Sequence, residues 1–204
     1  MACVIFFVVI PILIYCACYI LDKNVHSIKD IWNLQINMYE YHSKLEAEHP
    51  FTSNWYTWPI MQKPVWYYLG NEEQGMHSTI SGIGNPVIWW SGILGMAYVL
   101  IKGIIKRNKE SLIILIPIIT SFLPYLGINR IMFMYHYFPI LPFMMLSIVT
   151  LIKDIEEKIK FKKISWIYVA LIVITFIYFY PVTSGMTVSE TYIESTKWLE
   201  TWYY

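Results

Sequence analysis

The sequence is dominated by apolar stretches that are each about as long as a membrane-spanning helix. A helix needs about 20 predominantly apolar residues to cross the hydrocarbon core of a bilayer. Such stretches occupy residues 1–21, 87–105, 111–128, 131–152 and 164–180. Charged residues make up only 14% of the chain, against roughly 25% in soluble domains. The sequence therefore predicts an all-α, polytopic membrane protein with five transmembrane helices.

The first apolar stretch has an alternative interpretation, because residues 1–20 also have the length of a secretory signal peptide. Signal peptides carry a basic amino-terminal region and a cleavage site between small residues. The stretch lacks that basic region, and Cys16-Ala17-Cys18 is a poor cleavage sequence. We therefore predict a transmembrane helix, in which Pro11 is tolerated because neighbouring helices satisfy the freed carbonyl group.

Two lysine-rich loops, at residues 102–110 and 153–163, indicate the orientation of the spans. Short loops rich in Lys and Arg remain in the cytoplasm. Five spans place both loops there only if residues 22–86, Arg130 and the carboxyl terminus lie outside. The sequence thus predicts a multi-pass cell-membrane protein whose loop 22–86 and carboxyl terminus are extracytoplasmic. A net charge of +1, without a basic stripe, gives no reason to expect nucleic acid as a partner.

The external loop opens with an amphipathic pattern. Its apolar residues recur at steps of three and four, at Ile28, Ile31, Leu34, Met38, Tyr41 and Leu45. This period predicts a helix, with Ser27 as its N-cap and Asp30 completing an imperfect capping box. The helix is too polar to cross a bilayer, so we expect it to lie on the membrane surface with its apolar face down.

Residues 49–68, which we call the aromatic segment, follow this helix. The segment contains six Trp and Tyr residues, one histidine and three prolines in twenty positions. Trp and Tyr concentrate at the membrane–water interface, where one end of the side chain is wet and the other apolar. We therefore expect the aromatic segment to be a substrate-facing surface at the membrane boundary.

Three motifs occur in order along the chain and carry a family resemblance. They are Gln35-x-x-Met38-Tyr39-x-Tyr41-His42-x-x-Leu45-x-x-x-His49-Pro50-Phe51-x-Ser53-x-Trp55-x-x-Trp58-Pro59, then Gly84-Asn85-Pro86-Val87-Ile88-Trp89-Trp90, then Arg130-x-x-Phe133-x-Tyr135-His136-Tyr137-Phe138-Pro139. Together they resemble the carboxyl-terminal transmembrane region of the protein O-mannosyltransferase family. The resemblance covers nearly the whole chain.

The resemblance implies a glycosyltransferase of the GT-C class. Members of that family move mannose from a polyprenyl phosphate carrier to Ser or Thr hydroxyls of proteins outside the cytoplasm. The implied partners are therefore the polyprenyl phosphate mannose donor, an acceptor protein and membrane lipid. No cofactor and no metal ion is implied.

This sequence departs from the family pattern in two places. The family's catalytic aspartate–glutamate pair lies in an amino-terminal half to which no part of this chain corresponds, and Met1 aligns with about the seventh of eleven spans. The resemblance thus implies a fragment or split subunit that needs the amino-terminal half as a partner, and we expect the chain alone not to transfer mannose. In addition, Lys63 stands where such proteins often carry arginine, which keeps the charge but loses the bidentate fork.

Arg130 and His136 are the leading candidates for contact with the carrier. A transferase that uses a lipid-linked sugar phosphate must bind a phosphodiester at headgroup depth and stabilise it as it leaves. Arg130 lies in a turn between two proline-containing spans, so we expect it to contact the phosphate; the alternative is an arginine that only anchors the turn. His136, next to Tyr135, is expected to orient the site or contact the carrier; its alternative is a hydrogen bond to a neighbouring helix.

The remaining candidate binding residues belong to the external loop. Trp55 and Trp58 are expected to stack on a sugar or acceptor peptide, or else to belong to the interfacial aromatic belt. His42, His49 and Ser53 complete the set. The two histidines match no standard zinc motif, so hydrogen bonding is the preferred interpretation over metal ligation. Ser53 lacks the partners of a nucleophile, and no residue of this chain is assigned as the catalytic base.

Two alternative functions remain open at this point. A related GT-C enzyme uses another polyprenyl-linked sugar, such as an aminoarabinose, or a lipid acceptor. A non-catalytic membrane scaffold or transport component needs no carrier binding and no contribution from Arg130 or His136. A panel of donors tested on the complete enzyme distinguishes the first alternative, and carrier binding distinguishes the second.

Overall fold

The computed structural model describes residues 2–19, 22, 25–44, 47–70, 75–128 and 130–204. It divides into two compact units, Met1–Ala47 and Glu48–Tyr204. The first unit contains helix α1, Ala2–Ala17, and helix α2, Ile28–Ser43. Helix α1 widens into a π-helical turn at Ile5–Val9, where the Ile10 N–H donates to the carbonyl of Ile5. Pro11 follows directly and explains the widening, because its ring displaces the regular hydrogen bond one turn earlier.

Helix α2 begins as the sequence predicts, with Ser27 as its N-cap. The Ser27 hydroxyl accepts from the Asp30 N–H at 3.3 Å, while Asp30 Oδ2 accepts from the Ser27 hydroxyl at 2.8 Å and the His26 N–H at 3.0 Å. These hydrogen bonds lower the pKa of Asp30, and the bond from the Ser27 side chain makes the largest contribution. Aspartate at this position therefore replaces the glutamate of the usual capping box. The location of α2 on a membrane surface stays a prediction.

Four helical segments of the second unit are long and apolar enough to cross a membrane. They contain helices α3, Pro86–Ile105, α4, Lys109–Phe122, α5, Leu141–Ile159, and α6, Ile164–Ser184. Helix α4 continues as a 3-10 helix at Leu123–Gly127, and a 3-10 helix at Met134–Ile140 precedes α5. The predicted first span, α1, is apolar but shorter than these four. The multi-pass architecture is thus confirmed, whereas the count of five spans stays a prediction.

The ends of two spans differ from the sequence-based bounds. Helix α5 continues through residues 153–159, which were expected to form part of a lysine-rich loop, because their acidic and basic residues are good helix formers. The last span was expected to end at residue 180, but α6 continues to Ser184 with Pro181 inside it. The left-handed Gly185, with φ of 77°, ends α6 instead.

The part of the second unit outside the candidate spans contains short strands, so the prediction of an all-helical protein was too simple. Strands β1, Trp66–Leu69, and β3, Thr79–Ser81, pair as an antiparallel hairpin. Strand β2, Met76–His77, pairs with β4, Val188–Ser189, from the carboxyl-terminal tail. The architecture is mostly helical, with these small sheets outside the spans.

The carboxyl-terminal tail is folded rather than extended. Helix α7, Glu190–Thr196, follows β4 and leads to Trp202 and Tyr204, which are both buried. The Tyr204 hydroxyl donates to the carbonyl of Thr196 at 2.9 Å, and burial raises the pKa of that phenol to about 12. The tail thus packs against the aromatic segment and completes the core of the second unit.

Indole N–H groups fix the aromatic segment to the rest of this unit. The carbonyl of Trp58 accepts from Nε1 of Trp89 on α3 at 2.7 Å, and the carbonyl of Met61 accepts from Nε1 of Trp202 at 2.8 Å. Met61 is fully buried and has a positive φ of 56°. Buried carbonyl groups need such donors, so the late aromatics of the tail are structural partners of the segment.

Asn85 is the N-cap of α3, and it also ties α3 to α6. Its Oδ1 accepts from the N–H groups of Val87 at 3.0 Å and Ile88 at 3.3 Å, while its Nδ2 donates to the carbonyl of Ile172 at 3.0 Å. One side chain therefore satisfies two helix donors and one carbonyl of another helix.

We expect Asn85→Ala to lower the free energy of unfolding by about 2 kcal/mol, the sum of a lost cap and a lost hydrogen bond. Asn108→Ala is the matched control, because the Asn108 side chain caps α4 through the Ser111 N–H and makes no described bond to another helix. That variant should lose about 1 kcal/mol. Unfolding titrations in detergent micelles measure both values, and equal losses would contradict a contribution from the Ile172 bond.

Candidate functional site

Two segments far apart in the sequence meet outside the candidate spans. The backbone N–H of Ser53 donates to the carbonyl of Met132 at 2.9 Å. This bond joins the aromatic segment to the stretch that leads from α4 into α5. The 3-10 helix at Met134–Ile140 then presents Tyr135 and His136 beside the segment.

Five rings form a continuous row across this junction, which we call the ring row: His49, Phe133, Tyr135, His136 and Trp58. His49 meets Phe133 edge-on at 4.9 Å between centroids, and Phe133 stacks on Tyr135 at 5.3 Å. Tyr135 stacks on His136 at 4.6 Å, and His136 lies nearly parallel to Trp58 at 5.8 Å. The structure thus brings four of the predicted site residues into one cluster, with Phe133 as the link between them.

His136 is held by the backbone around it. Its Nδ1 lies 3.2 Å from the N–H of Phe133 and 2.9 Å from the carbonyl of the same residue. Its own carbonyl accepts from the Tyr125 hydroxyl at 3.1 Å. Nδ1 accepts from the Phe133 N–H in one tautomer and donates to the Phe133 carbonyl in the other. In either tautomer these contacts hold the imidazole at the half-buried edge of the row.

Trp58 and Ser53 form the buried base of the ring row. Trp58 is 1% exposed, and its Nε1 donates to the Ser53 hydroxyl at 3.0 Å. Tyr125 packs edge-on against the Trp58 ring at 4.9 Å. Because the indole is almost completely buried, Trp58 supports His136 and has no accessible face for a sugar.

Trp55 and Tyr135 are the more accessible aromatic members of the predicted site. Trp55 is half-buried and packs edge-on against Phe122, at the end of α4, at 5.1 Å. Tyr135 is 40% exposed. Tyr67 on β1 lies near it, since burial first and the charge of Tyr135 second raise the pKa of the Tyr67 phenol. The row therefore has an accessible rim and a buried base.

Arg130 is half-buried and begins the stretch that joins the aromatic segment. Arg130 lies two residues before Met132, whose carbonyl accepts from the Ser53 N–H. Two residues of extended chain span at most about 7 Å, so the Arg130 backbone lies beside the ring row. Its neighbour Asn129, which the sequence places in the same turn, is outside the described residues.

His42 is the one predicted site residue in the first unit. It lies in the last turn of α2, is exposed, and packs edge-on against Tyr41 at 5.2 Å. His49, in the second unit, accepts from the Phe51 N–H at 3.2 Å through Nδ1. Within the described ranges, no three His, Cys, Asp or Glu residues are grouped so that they could hold a metal ion.

Sequence reasoning did not assign the residues that organise this site. Phe133 links His49 to Tyr135, Tyr125 holds both Trp58 and His136, and Trp89 fixes the Trp58 carbonyl. Phe133 and Trp89 stand in the family motifs, which was the available signal. Tyr125 stands in none of them, and only its fold places it beside the row.

Comparison with protein families gives one match that covers most of the chain. Residues 27–114 and 104–202 match the model described as the C-terminal four TMM region of protein-O-mannosyltransferase. The matched region contains the aromatic segment, the ring row, Arg130 and the four candidate spans.

Individual proteins agree with the family match. The chain is 25% identical over 195 residues to a polyprenol-phosphate-mannose–protein mannosyltransferase of Mycolicibacterium smegmatis, covering 86% of this chain and 38% of that protein. It is 21% identical over 204 residues to the protein of the same name from Corynebacterium glutamicum, covering 90% of this chain and 39% of the relative. The chain thus spans well under half the length of these relatives.

A solved structure shares the fold. The Saccharomyces cerevisiae protein O-mannosyltransferase Pmt1-Pmt2 complex bound to the sugar donor matches with a TM-score of 0.66 at 19% identity. The match covers 89% of this chain and 28% of the yeast chain. At this identity the likeness supports the fold.

Proposed function

This chain belongs to the protein O-mannosyltransferase family, and on that premise we propose that it forms the carrier-binding part of a membrane mannosyltransferase. The proposed donor is polyprenyl phosphate mannose, and the proposed acceptors are Ser and Thr hydroxyls of extracytoplasmic proteins. The names of the mycobacterial and corynebacterial relatives support the donor and the protein acceptor. The observation that carries the proposal is the ring row beside Arg130, at the external ends of the candidate spans.

The proposed chemistry is a single displacement with inversion at the sugar. The acceptor hydroxyl oxygen forms a bond to C1 of mannose, the bond from C1 to the phosphate oxygen breaks, and polyprenyl phosphate leaves with the electron pair. The hydroxyl proton passes to an acidic residue of the family's amino-terminal half. The part proposed for this chain is to hold the carrier and stabilise the leaving phosphate.

Different accessible residues of the site are proposed to contact the phosphate, the sugar and the acceptor peptide. The guanidinium of Arg130 is suited to contact the phosphate, because its charge opposes the charge that develops on the leaving group. Nε2 of His136 and the Tyr135 hydroxyl are proposed as neutral hydrogen-bonding groups next to it. Trp55 and His49 line the rim for the sugar or the acceptor peptide. The binding role of His42, which belongs to the first unit, stays a prediction.

Ser53 and Trp58 are buried, and we propose a supporting role for them rather than direct contact with the carrier. Both are below the accessible rim, and Trp58 lies parallel to His136. We therefore propose them as positioning residues that keep the imidazole in place. This arrangement follows the general requirement that binding groups be locked by a packed supporting layer.

The proposed topology places the site outside the cytoplasm. The lysine-rich ends of α3 and α5 face the cytoplasm under the positive-inside rule. The ring row, the small sheets and the carboxyl-terminal tail then lie on the opposite side. With α1 as a further span, the chain crosses the membrane five times.

Arg130→Gln tests the proposed function in the complete enzyme. We expect turnover to fall about 100-fold, the usual cost of removing one donor from a developing charge, and carrier affinity to fall about tenfold because a charged hydrogen bond is lost. The assays are mannose transfer to an acceptor peptide and direct binding of polyprenyl phosphate mannose.

The matched control is Arg107→Gln. The chain has two arginines, and Arg107 lies after α3, in the loop proposed to be cytoplasmic. Its replacement removes the same charge at the opposite end of the spans and should leave both values within about twofold, as expected for a surface change. Unchanged transfer by Arg130→Gln, or equal losses in both variants, would refute the role of Arg130.

A further inference from the structure

An apolar groove runs along the outside of the helix bundle, away from the ring row. It has a volume of about 430 Å³ and lies between α5 and α6. Its walls include Val149 and Ile152 of α5 with Val169 and Ile172 of α6, and Ile88 of α3 contributes to its floor. These side chains lie within candidate membrane spans, so the groove opens towards lipid.

The groove is as long as one leaflet of a bilayer is thick. Its lining on α5 extends from Met145 to Glu156, a separation of eleven residues. At 1.5 Å per residue this is about 16 Å, close to half of the roughly 30 Å hydrocarbon core. An acyl chain anchored at the Glu156 end would therefore reach the middle of the membrane at Met145.

The polar groups of the groove are confined to that same end. Lys153, Glu156 and Ser165 line it there. The Glu156 carboxylate accepts from the Ser165 N–H at 2.8 Å and the Ser165 hydroxyl at 3.0 Å, at the start of α6. A helix N-terminus favours a negative charge, so Glu156 is already occupied in capping α6.

Lys153 is exposed and has no ion-pair partner among the described residues. Its neighbour Asp154 is paired with Lys102 of α3 and also accepts from the Tyr98 hydroxyl. Asp154 and Glu156 are thus engaged elsewhere, and Lys153 makes no described ion pair with Glu157, one turn further along α5. The Lys153 ammonium therefore lies at the mouth of an apolar groove without a described counter-ion. This combination fits a ligand with an apolar chain and an anionic head.

We propose that the groove binds an anionic phospholipid of the leaflet that surrounds Lys153. One acyl chain lies between α5 and α6, and the headgroup phosphate contacts the Lys153 ammonium. The lysines that follow, at residues 158–163, hold the same leaflet's negative charges near the site. The proposal requires the membrane location of α5 and α6 and is independent of the mannosyltransferase activity.

Native mass spectrometry of the full 204-residue chain tests this site with two lipids that differ only in headgroup. We expect palmitoyl-oleoyl phosphatidylglycerol to bind about fivefold more tightly than the matching phosphatidylcholine, since one lysine near an anionic lipid contributes about 1 kcal/mol. Lys153→Gln should remove that preference. Val149→Trp, at an exposed position of the wall, should fill the groove and weaken both lipids.

Lys158→Gln is the control, because it removes one charge from the same helix end without lining the groove. It should keep the preference for phosphatidylglycerol. Equal affinity of the unmodified chain for the two lipids would overturn the proposal. An equal loss of the phosphatidylglycerol preference in Lys158→Gln and Lys153→Gln would also overturn it, because it would indicate diffuse electrostatic attraction. If the groove were instead filled by another protein helix, Val149→Trp would leave lipid binding unchanged.

Discussion

Trp58→Ala is expected to lower the free energy of unfolding by about 4 kcal/mol, as large-to-small changes of fully buried tryptophans do. The ring is 1% exposed and is held by the Ser53 hydroxyl, by Tyr125 and by His136. Trp58 lies outside the candidate spans, so its ring exchanges water for protein contacts on folding and the full transfer free energy applies. Unfolding titrations in micelles measure the change.

Trp166→Ala is the control for the loss of an indole. Trp166 lies near the start of α6 and is 75% exposed, so its replacement should change the free energy of unfolding by no more than about 0.5 kcal/mol. Similar losses in the two variants would mean that burial of Trp58 does not stabilise the external core.

Trp58→Phe separates the positioning of His136 from stability. Phenylalanine retains one ring beside the imidazole, and it loses the second ring of the indole together with the N–H that donates to Ser53. In the complete enzyme we expect Trp58→Phe to keep the KM for the carrier within about threefold, and Trp58→Ala to raise it about tenfold, since the imidazole loses its packed support. Equal KM values in both variants, at matched amounts of folded enzyme, would exclude a positioning role.

The spans and helix starts could be predicted because their signals are local. Asn85 followed by Pro86 and Ser27 followed by Asp30 are capping sequences whose partners lie within one turn. The helix ends were less predictable. Gly185 ends α6 with a positive φ, whereas Pro181 fits inside it, and a sequence does not show which of two nearby breakers acts.

The sheet of β2 and β4 could not be predicted, because its two strands are distant in the chain. Met76 pairs with Ser189 and His77 with Val188. Each of these strands is two residues long, which is too short for an alternating pattern to be recognised. Only the folded tail, fixed by Trp202 to the Met61 carbonyl, brings them together.

The residue types of the candidate site could be predicted, but their roles could not. Trp55 and Trp58 stand three positions apart in one aromatic segment, so composition assigns both to an interfacial surface. The fold separates them, because the 3-10 turn at Trp55–Thr57 leaves Trp55 at the rim and turns Trp58 into the core. The burial of Trp58 depends on the stretch Met132–His136, which lies more than seventy residues further along the chain.

The second large effect is expected in the helix bundle, where α3 packs against α5 through glycine. A Cβ added to Gly95 would lie 2.8 Å from the backbone N of Ile148 and 3.0 Å from the backbone carbonyl carbon of Ser147. Ser147 is fully buried. Small residues let membrane helices approach closely, and van der Waals packing rather than water exclusion then holds them together.

Gly95→Ala should therefore lower the free energy of unfolding by about 2 kcal/mol, since a backbone atom cannot rotate away and the two helices must separate. The loss exceeds the gain of up to about 1 kcal/mol that alanine brings in helix propensity. Gly95→Val should cost more, because it adds two methyl groups at the same contact.

Gly103→Ala in the same helix is the matched control. A Cβ there would meet the end of the Leu112 side chain at 3.2 Å, and a flexible leucine can change its rotamer at little cost. We expect that variant to be as stable as the parent or slightly more stable. If Gly95→Ala were equally well tolerated, α3 and α5 would have room between them, and close glycine packing would not be what holds these helices together.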